Sequence, residues 1–348
     1  MAVPMRVGIL NDMSDGPPGV GDGGEQWIRY AVDELVVAGR LDRDVEFVHS
    51  YGLGLPSGTA AAVEHAFVEL VDQDALVIAG PAIGDNAIVA TPFAERHLVP
   101  TVNWAGSERG RGEWMFHLQV GSHEDESIVL ARHLASLGVR GVGVVSDRSP
   151  IGRRHLEFLV AEAVVLGLAV VGSATVSPLA EDATGEVDRV LAAGPDAMVY
   201  LGLGLSAPAV ARALTDRGFD GPRAMNTAGL RGHAPEFGRV IDGWVYIDMF
   251  SDTNATLTEL VARADVTEAR GMGVAKGYDL GRLVAEGLAR APERTREGVK
   301  EGLEQVKWLP AAEGHEGTLL GFGLHDRGAL HGRYLVLRQW RDGVSVQV

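Results

Sequence analysis

Residues 75–86 read Ala75-Leu76-Val77-Ile78-Ala79-Gly80-Pro81-Ala82-Ile83-Gly84-Asp85-Asn86. A half-exposed strand alternates apolar with polar residues, and the unbroken apolar run from Ala75 to Ala79 does not. It predicts a strand buried on both faces, as in a parallel sheet covered by helices. Gly80-Pro81 ends the run, and an amphipathic stretch over 86–97 predicts the helix that follows. Outward from this unit the same alternation recurs. Further strands are expected at 6–10, 44–50, 100–103, 141–146, 169–176, 197–201, 223–226 and 243–248. Helices are expected at 25–38, 59–71, 124–137, 153–166, 186–193, 207–217 and 274–291. Such alternation predicts a doubly wound α/β chain that binds ligands beyond the carboxyl ends of its strands. One series covers about 6–118 and another about 126–248, with no Pro/Gly/Ser-rich linker between them. After Asp248 two helices and a β-rich tail over 318–346 are expected.

The chain has 348 residues, 46% of them hydrophobic and 22% charged, enough apolar material for a sizeable core. Its 31 basic and 47 acidic side chains give a net charge of −16, spread along the length. Nucleic acid and anionic membrane surfaces both need a cationic footprint, so neither is an expected partner. The absence of cysteine removes disulfides, thiolate metal sites and cysteine nucleophiles, and leaves the redox compartment open. No stretch approaches the roughly 18 apolar residues of a membrane span. Met1-Ala2-Val3-Pro4-Met5 leads straight into a strand, without the apolar region of a secretory signal. The expected location is cytoplasmic as the sequence stands, or extracytoplasmic if a leader was trimmed.

Gly19-x-Gly21-x-x-Gly24 has the spacing of a dinucleotide fingerprint. That motif works only when its glycine turn directly follows the first strand. Here 11–18 intervene and Pro17-Pro18 impose an extended detour, so the segment reads as a Gly-rich loop and no cofactor is expected. The 11 histidines show no i, i+4 pairing of the kind a zinc helix uses, and no metal is expected. Neither a Walker loop nor a nucleophile elbow occurs; Ser206 in Gly204-Leu205-Ser206-Ala207-Pro208 lacks the second glycine. No catalytic residue emerges, so the chain is not expected to be an enzyme. Three segments that follow strands, 80–86, 104–107 and 147–152, form a candidate cleft lining.

Several of these segments, in order, resemble a known family. They are Val7-Gly8-Ile9-Leu10 with a loop ending Gly21-Asp22, Val77-Ile78-Ala79-Gly80-Pro81, and Val99-Pro100-Thr101-Val102-Asn103. Asp147-x-x-x-x-Gly152 follows, and then Phe322-Gly323-Leu324-His325-Asp326-Arg327-Gly328 leading to Val336-Leu337-Arg338-Gln339-Trp340. The chain is similar to type I periplasmic binding proteins of the branched-chain amino-acid group, the solute receptors of ABC importers. The resemblance implies an α/β fold of two doubly wound Rossmann-like lobes joined by three crossovers near Val120, Met249 and Asp326. The lobes would be 1–119 with 249–325, and 120–248 with 326–348, closing on a small molecule.

The family's amino-acid contacts carry over poorly. The hydroxyl that receives the ligand carboxylate falls on Ile83, beside Gly84, and the first-loop tyrosine falls on Val20. Later tyrosines fall on Ile151 and near Gly204 or Leu205, and the acid that binds the ammonium falls near Thr227 and Ala228. Gly106-Ser107 alone keep the family's character, while Met13, Trp104, Leu203 and Phe250 add apolar surface. Asp85 already occupies a helix N-terminus that could otherwise hold an anion. A buried ammonium without an acceptor is not tolerated in a low-dielectric cleft. The expected ligand is therefore a hydrophobic or aromatic compound such as a steroid, terpenoid or aromatic acid. Burying about 300 Å² of its surface at ~25 cal/mol/Å² supplies roughly 7 kcal/mol before association costs. Two functions fit: a solute-binding protein serving an ABC permease, or a cytoplasmic sensor on the same fold that regulates a protein partner.

Overall fold

A computed structural model describes residues 4–17, 24–42, 44–118, 122–264 and 272–348. The chain divides into two compact units, Met1–Val120 with Met249–Tyr334, and Gly121–Asp248 with Leu335–Val348.

Strand and helix alternate along the chain. The order begins β1 (Met5–Asn11), α1 (Gly24–Val37), β2 (Val45–Tyr51), α2 (Ala60–Asp72), β3 (Val77–Ala79), α3 (Gly84–His97), β4 (Thr101–Asn103) and β5 (Met115–His117). It continues with α4 (His123–Ser136), β6 (Gly141–Asp147), α5 (Pro150–Leu166), β7 (Ala169–Val176), α6 (Thr184–Leu191), β8 (Ala197–Leu201), α7 (Ala207–Asp216), β9 (Arg223–Met225), α8 (Pro235–Gly238) and β10 (Val245–Asp248). Then come α9 (Ala255–Arg263), α10 (Met272–Arg290), α11 (Arg296–Glu304), β11 (Leu309–Pro310), β12 (Leu319–Leu320), β13 (Leu330–His331), β14 (Val336–Arg341) and β15 (Val344–Gln347).

The first unit holds a five-stranded sheet in the order β2-β1-β3-β4-β5, parallel throughout. A small antiparallel sheet, β11-β12-β13, accompanies it. In the second unit the order is β15-β14-β10-β9-β8-β6-β7, parallel from β10 to β7, with β14 and β15 antiparallel at one edge. Both units are doubly wound, as the alternation predicts. Strand burial follows the neighbours: every residue of central β6 is buried, whereas edge strand β7 alternates. In each sheet the strand order reverses beside the first strand, between β1 and β3 and again between β6 and β8. Loops leaving those strands at their carboxyl ends flank the crevice where open α/β sheets bind ligands.

Local chemistry explains where the elements differ from the sequence expectation. Helix α5 starts at Pro150, earlier than 153, because the Ser149 hydroxyl accepts from the Gly152 amide and proline suits a first turn. The strand over 75–79 shortens to β3, since Asp74 turns the chain with φ of 57° just before it. Strand β5 was not expected; its residues Met115-Phe116-His117 are too few to show a period. Among the described residues three helices follow Asp248, where two were expected; the first, α9, is capped by the Asn254 side chain on the Leu257 amide. The last change of unit falls after Tyr334, not at Asp326. Residues beyond Asp326 stay with the first unit because β13 pairs with β12, while His117 and Ala329 bond through their main chains.

Candidate functional site

Each of the two larger sheets carries a buried aspartate at the carboxyl end of its first strand. Asp12 follows β1, and its carboxylate accepts from the amides of Ala82 (2.8 Å) and Ile83 (3.0 Å) and from Asn86 Nδ2 (2.7 Å). Asn86 also accepts from the Leu55 amide at 2.8 Å, so the loops after β1, β2 and β3 hang on one polar knot. Burial pushes the Asp12 carboxyl up, and these donors pull it partly back down. Asp147, the last residue of β6, does the same work in the second unit. It accepts from the Ser149 amide at 3.1 Å, the Ser149 hydroxyl, the Leu203 amide at 2.7 Å and the Tyr200 hydroxyl at 3.3 Å. Tyr200 is itself bonded to Ser206 at 2.9 Å. A carboxylate that collects several N–H and O–H donors fixes the loop that supplies them. Gly202 and Gly204 leave the β8 end with φ of 155° and 93°. A side chain at 202 would run into the Asp147 carboxylate, so glycine is needed there.

In the first unit, the loop after β4 is held from both sides. Asn103 Oδ1 accepts from the Ala105 amide at 2.9 Å, and His117 Nδ1 lies 2.9 Å from the Ala105 carbonyl. A carbonyl only accepts, so Nδ1 carries the proton. Burial holds the His117 ring down to about 4, and it is neutral at physiological pH. Asn103 Nδ2, His117 Nε2 and the Ser107 hydroxyl are enclosed with no partner among the described residues. Trp104 leaves this loop to pack on α1 and α10. Its ring lies where a side chain on Gly24 would sit, and Lys276 Nζ is 5.8 Å from the ring centre. Gly24 therefore makes room for an indole, a role independent of any dinucleotide.

The second unit adds a buried acid that sequence reading passed over. Glu126, on α4, accepts from the Thr227 amide at 2.8 Å and the Thr227 hydroxyl at 3.3 Å. Burial pushes its carboxyl up to about 8, so it is mostly uncharged at neutral pH. His155 Nε2 stands 4.0 Å away and 3.2 Å from Asn226 Nδ2; Asn226 in turn holds both the amide and the carbonyl of Gly202.

The expected site residues fall on these strand ends. In the first unit Met13 is 61% exposed, Ile83 and Trp104 are half-buried, and Gly84 begins α3 directly after Ile83. Gly106 and Ser107 follow Trp104, whereas Phe250 packs against the cluster of Trp27, Leu257 and Tyr278. Val20 lies outside the described residues. In the second unit Ile151 sits in the first turn of α5, and Leu203, Gly204 and Leu205 follow β8. Thr227 and Ala228 follow β9, with Ala228 buried in the core beside Tyr246 and Trp340. Sequence reasoning missed Asp12, Glu126 and Arg231, and it had Asn86 only as the last residue of the 80–86 segment. Only Asp12 left a signal, an acid directly after a β-run.

The sequence profile of a family described as periplasmic binding protein matches residues 4–336. No curated protein sequence matches the chain. Among solved structures, the chain is similar to a type 1 periplasmic binding protein from Bordetella pertussis Tohama I. Identity is 15%, the TM-score 0.83, and 99% of this chain and 100% of that one are covered. A leucine binding protein from Thermotoga maritima MSB8 has 16% identity and a TM-score of 0.81, with 99% and 97% covered. An ABC transporter substrate-binding protein from Desulfitobacterium hafniense has 16% identity and a TM-score of 0.80, with 99% and 100% covered. At such identities the likeness is one of fold.

Proposed function

The chain belongs to the type I periplasmic binding proteins, a family of solute receptors and not of enzymes, and on that basis we propose that it delivers an apolar or aromatic small molecule to an ABC permease. One observation carries the ligand class. The carboxyl groups of Asp12, Asp147 and Glu126 are all turned onto main-chain amides of other strand-end loops in their own units, those after β3, β8 and β9. Glu126 is, besides, mostly uncharged at neutral pH. An ammonium brought to any of them would compete with donors already in place, and burying it unpaired costs several kcal/mol. Ile83, Trp104 and Leu205 are partly exposed apolar side chains in strand-end loops of their units, while Ile151 and Leu203 are apolar and buried. Apolar contact with a few fixed polar groups is the usual composition of a small-molecule site.

Thermal unfolding in the presence of candidate solutes tests this reading. A ligand at a hundred times its Kd stabilises by about 2.7 kcal/mol, several degrees in Tm for a chain of this size. Leucine and valine at millimolar concentration are expected to leave Tm unchanged, while apolar aromatic compounds raise it. A strong rise with leucine overturns the ligand class. Cell fractionation separates delivery from sensing: protein outside the cytoplasmic membrane supports a permease partner, and protein confined to the cytoplasm supports a regulatory one.

A further inference from the structure

Arg231 lies in the short helical turn 227–233 that follows β9, and it is half-buried. Its Nε donates to the Leu203 carbonyl at 2.7 Å. The side chain crosses directly over Gly204, whose missing Cβ would stand 2.9 Å from Arg231 Cδ and 3.1 Å from Nε. Glycine at 204 thus makes the berth for the arginine, and the β8 and β9 loops are joined through it.

The hydrogen bond that Arg231 makes among the described residues is the one from Nε to Leu203, and no carboxylate there lies within ion-pair distance of its guanidinium. Asp147 is the acid whose field reaches it, and that carboxylate is already filled by Ser149, Leu203 and Tyr200. A guanidinium stays protonated even where burial disfavours its charge, so this part of the second unit holds a fixed positive charge with two donor nitrogens uncommitted. Elsewhere in the same unit, arginines such as Arg132, Arg189 and Arg217 each face a glutamate or aspartate.

We propose that Arg231 receives the anionic group of the solute, which makes the ligand an apolar organic acid and not a neutral hydrophobe. The proposal rests on the apolar reading above and adds the charge to it. Planar guanidinium nitrogens engage a carboxylate or sulfonate through two parallel N–H bonds. Arg231 is held in place before any ligand arrives by its Nε bond to Leu203, so little ordering is left to accompany binding. The polarity is opposite to that of a site for an ammonium.

The test uses two fluorescent probes that differ in one group. 8-Anilinonaphthalene-1-sulfonate carries an anion, and N-phenyl-1-naphthylamine is the same framework without it. Titrations of the full chain and of Arg231→Gln are read as Kd. The expected result is tighter binding of the sulfonate by about 10- to 100-fold, the range for a hydrogen bond to a charged group, and loss of that advantage in Arg231→Gln. Affinity for the neutral probe is expected to fall by much less than affinity for the sulfonate, because only the sulfonate loses its paired charge. Equal affinity of the two probes for the unaltered chain overturns the role of Arg231 and leaves the apolar reading standing. So does a preference that survives in Arg231→Gln. Binding of neither probe overturns both. If Arg231→Gln does not fold, Arg231→Lys, which keeps the charge but not the fork, is expected to retain only part of the preference, and full retention counts against the proposal.

Discussion

Replacing Glu126 with glutamine probes the electrostatic condition on which the ligand class depends. In the folded chain this carboxyl titrates near 8 instead of 4.5, mainly because it is buried, with Asp125 adding to the shift and the Thr227 bonds opposing it. A carboxyl whose folded pKa lies above its unfolded value keeps a proton that the unfolded chain has already released. Its contribution to stability therefore falls as pH rises through the window from about 4.5 to about 8. At ~1.36 kcal/mol per pH unit, moving from about pH 5 to about pH 7.5 costs about 3 kcal/mol. Glutamine has nearly the same shape and does not titrate; its carbonyl still accepts from the Thr227 amide, and the Thr227 hydroxyl can turn to accept from the new amide. Urea unfolding of both proteins at the two pH values is expected to show Glu126→Gln gaining about 3 kcal/mol on the unaltered chain as pH rises. Parallel profiles would refute the reasoning. They would mean an ionised carboxylate beside Thr227 at neutral pH, and with it an acceptor for an ammonium group.

The buried imidazole works in the opposite direction. His117 titrates near 4 when folded against 6.5 unfolded, so stability rises with pH between those values, by up to about 3 kcal/mol; His117→Gln should flatten that limb of an unfolding profile, and an unflattened limb counts against a neutral ring. Asp147→Asn turns an NH2 group toward donors now served by a carboxylate oxygen, at a cost of about 2–4 kcal/mol read as a lowered denaturation midpoint; an unchanged midpoint would show that the loop does not depend on this acid. Gly24→Val places a Cβ 2.6 Å from Trp104 Cη2, so the indole must move, at about 1–3 kcal/mol and with a change in tryptophan emission. Unaltered emission and stability would place the ring elsewhere.

The fold was legible because a strand buried on both faces leaves an unbroken apolar run, and Ala75 to Ala79 is one. Glycine and proline turns then marked where helices begin. Strand β5 escaped because it gets its place from β4 beside it and not from its own pattern. At the candidate site the apolar positions could be read from residue types and from the order of segments. The acids could not: whether Asp12 faces solvent, a ligand or the amides of Ala82 and Ile83 is decided by the β1–β3 pairing, which joins residues about seventy apart. Arg231 was invisible for the same reason. Nothing in Gly229-Leu230-Arg231-Gly232 says that the side chain runs back across Gly204.

Scaffolding at these loops falls to groups distinct from the apolar side chains proposed for recognition. The carboxylates of Asp12 and Asp147 grip main-chain amides, and every residue type but proline offers one. Side chains at 83 and 203 can then be exchanged without loosening the grip. A chain built this way tolerates variety at its loop tips: a substitution there changes a side chain while the main-chain framework beneath keeps its shape.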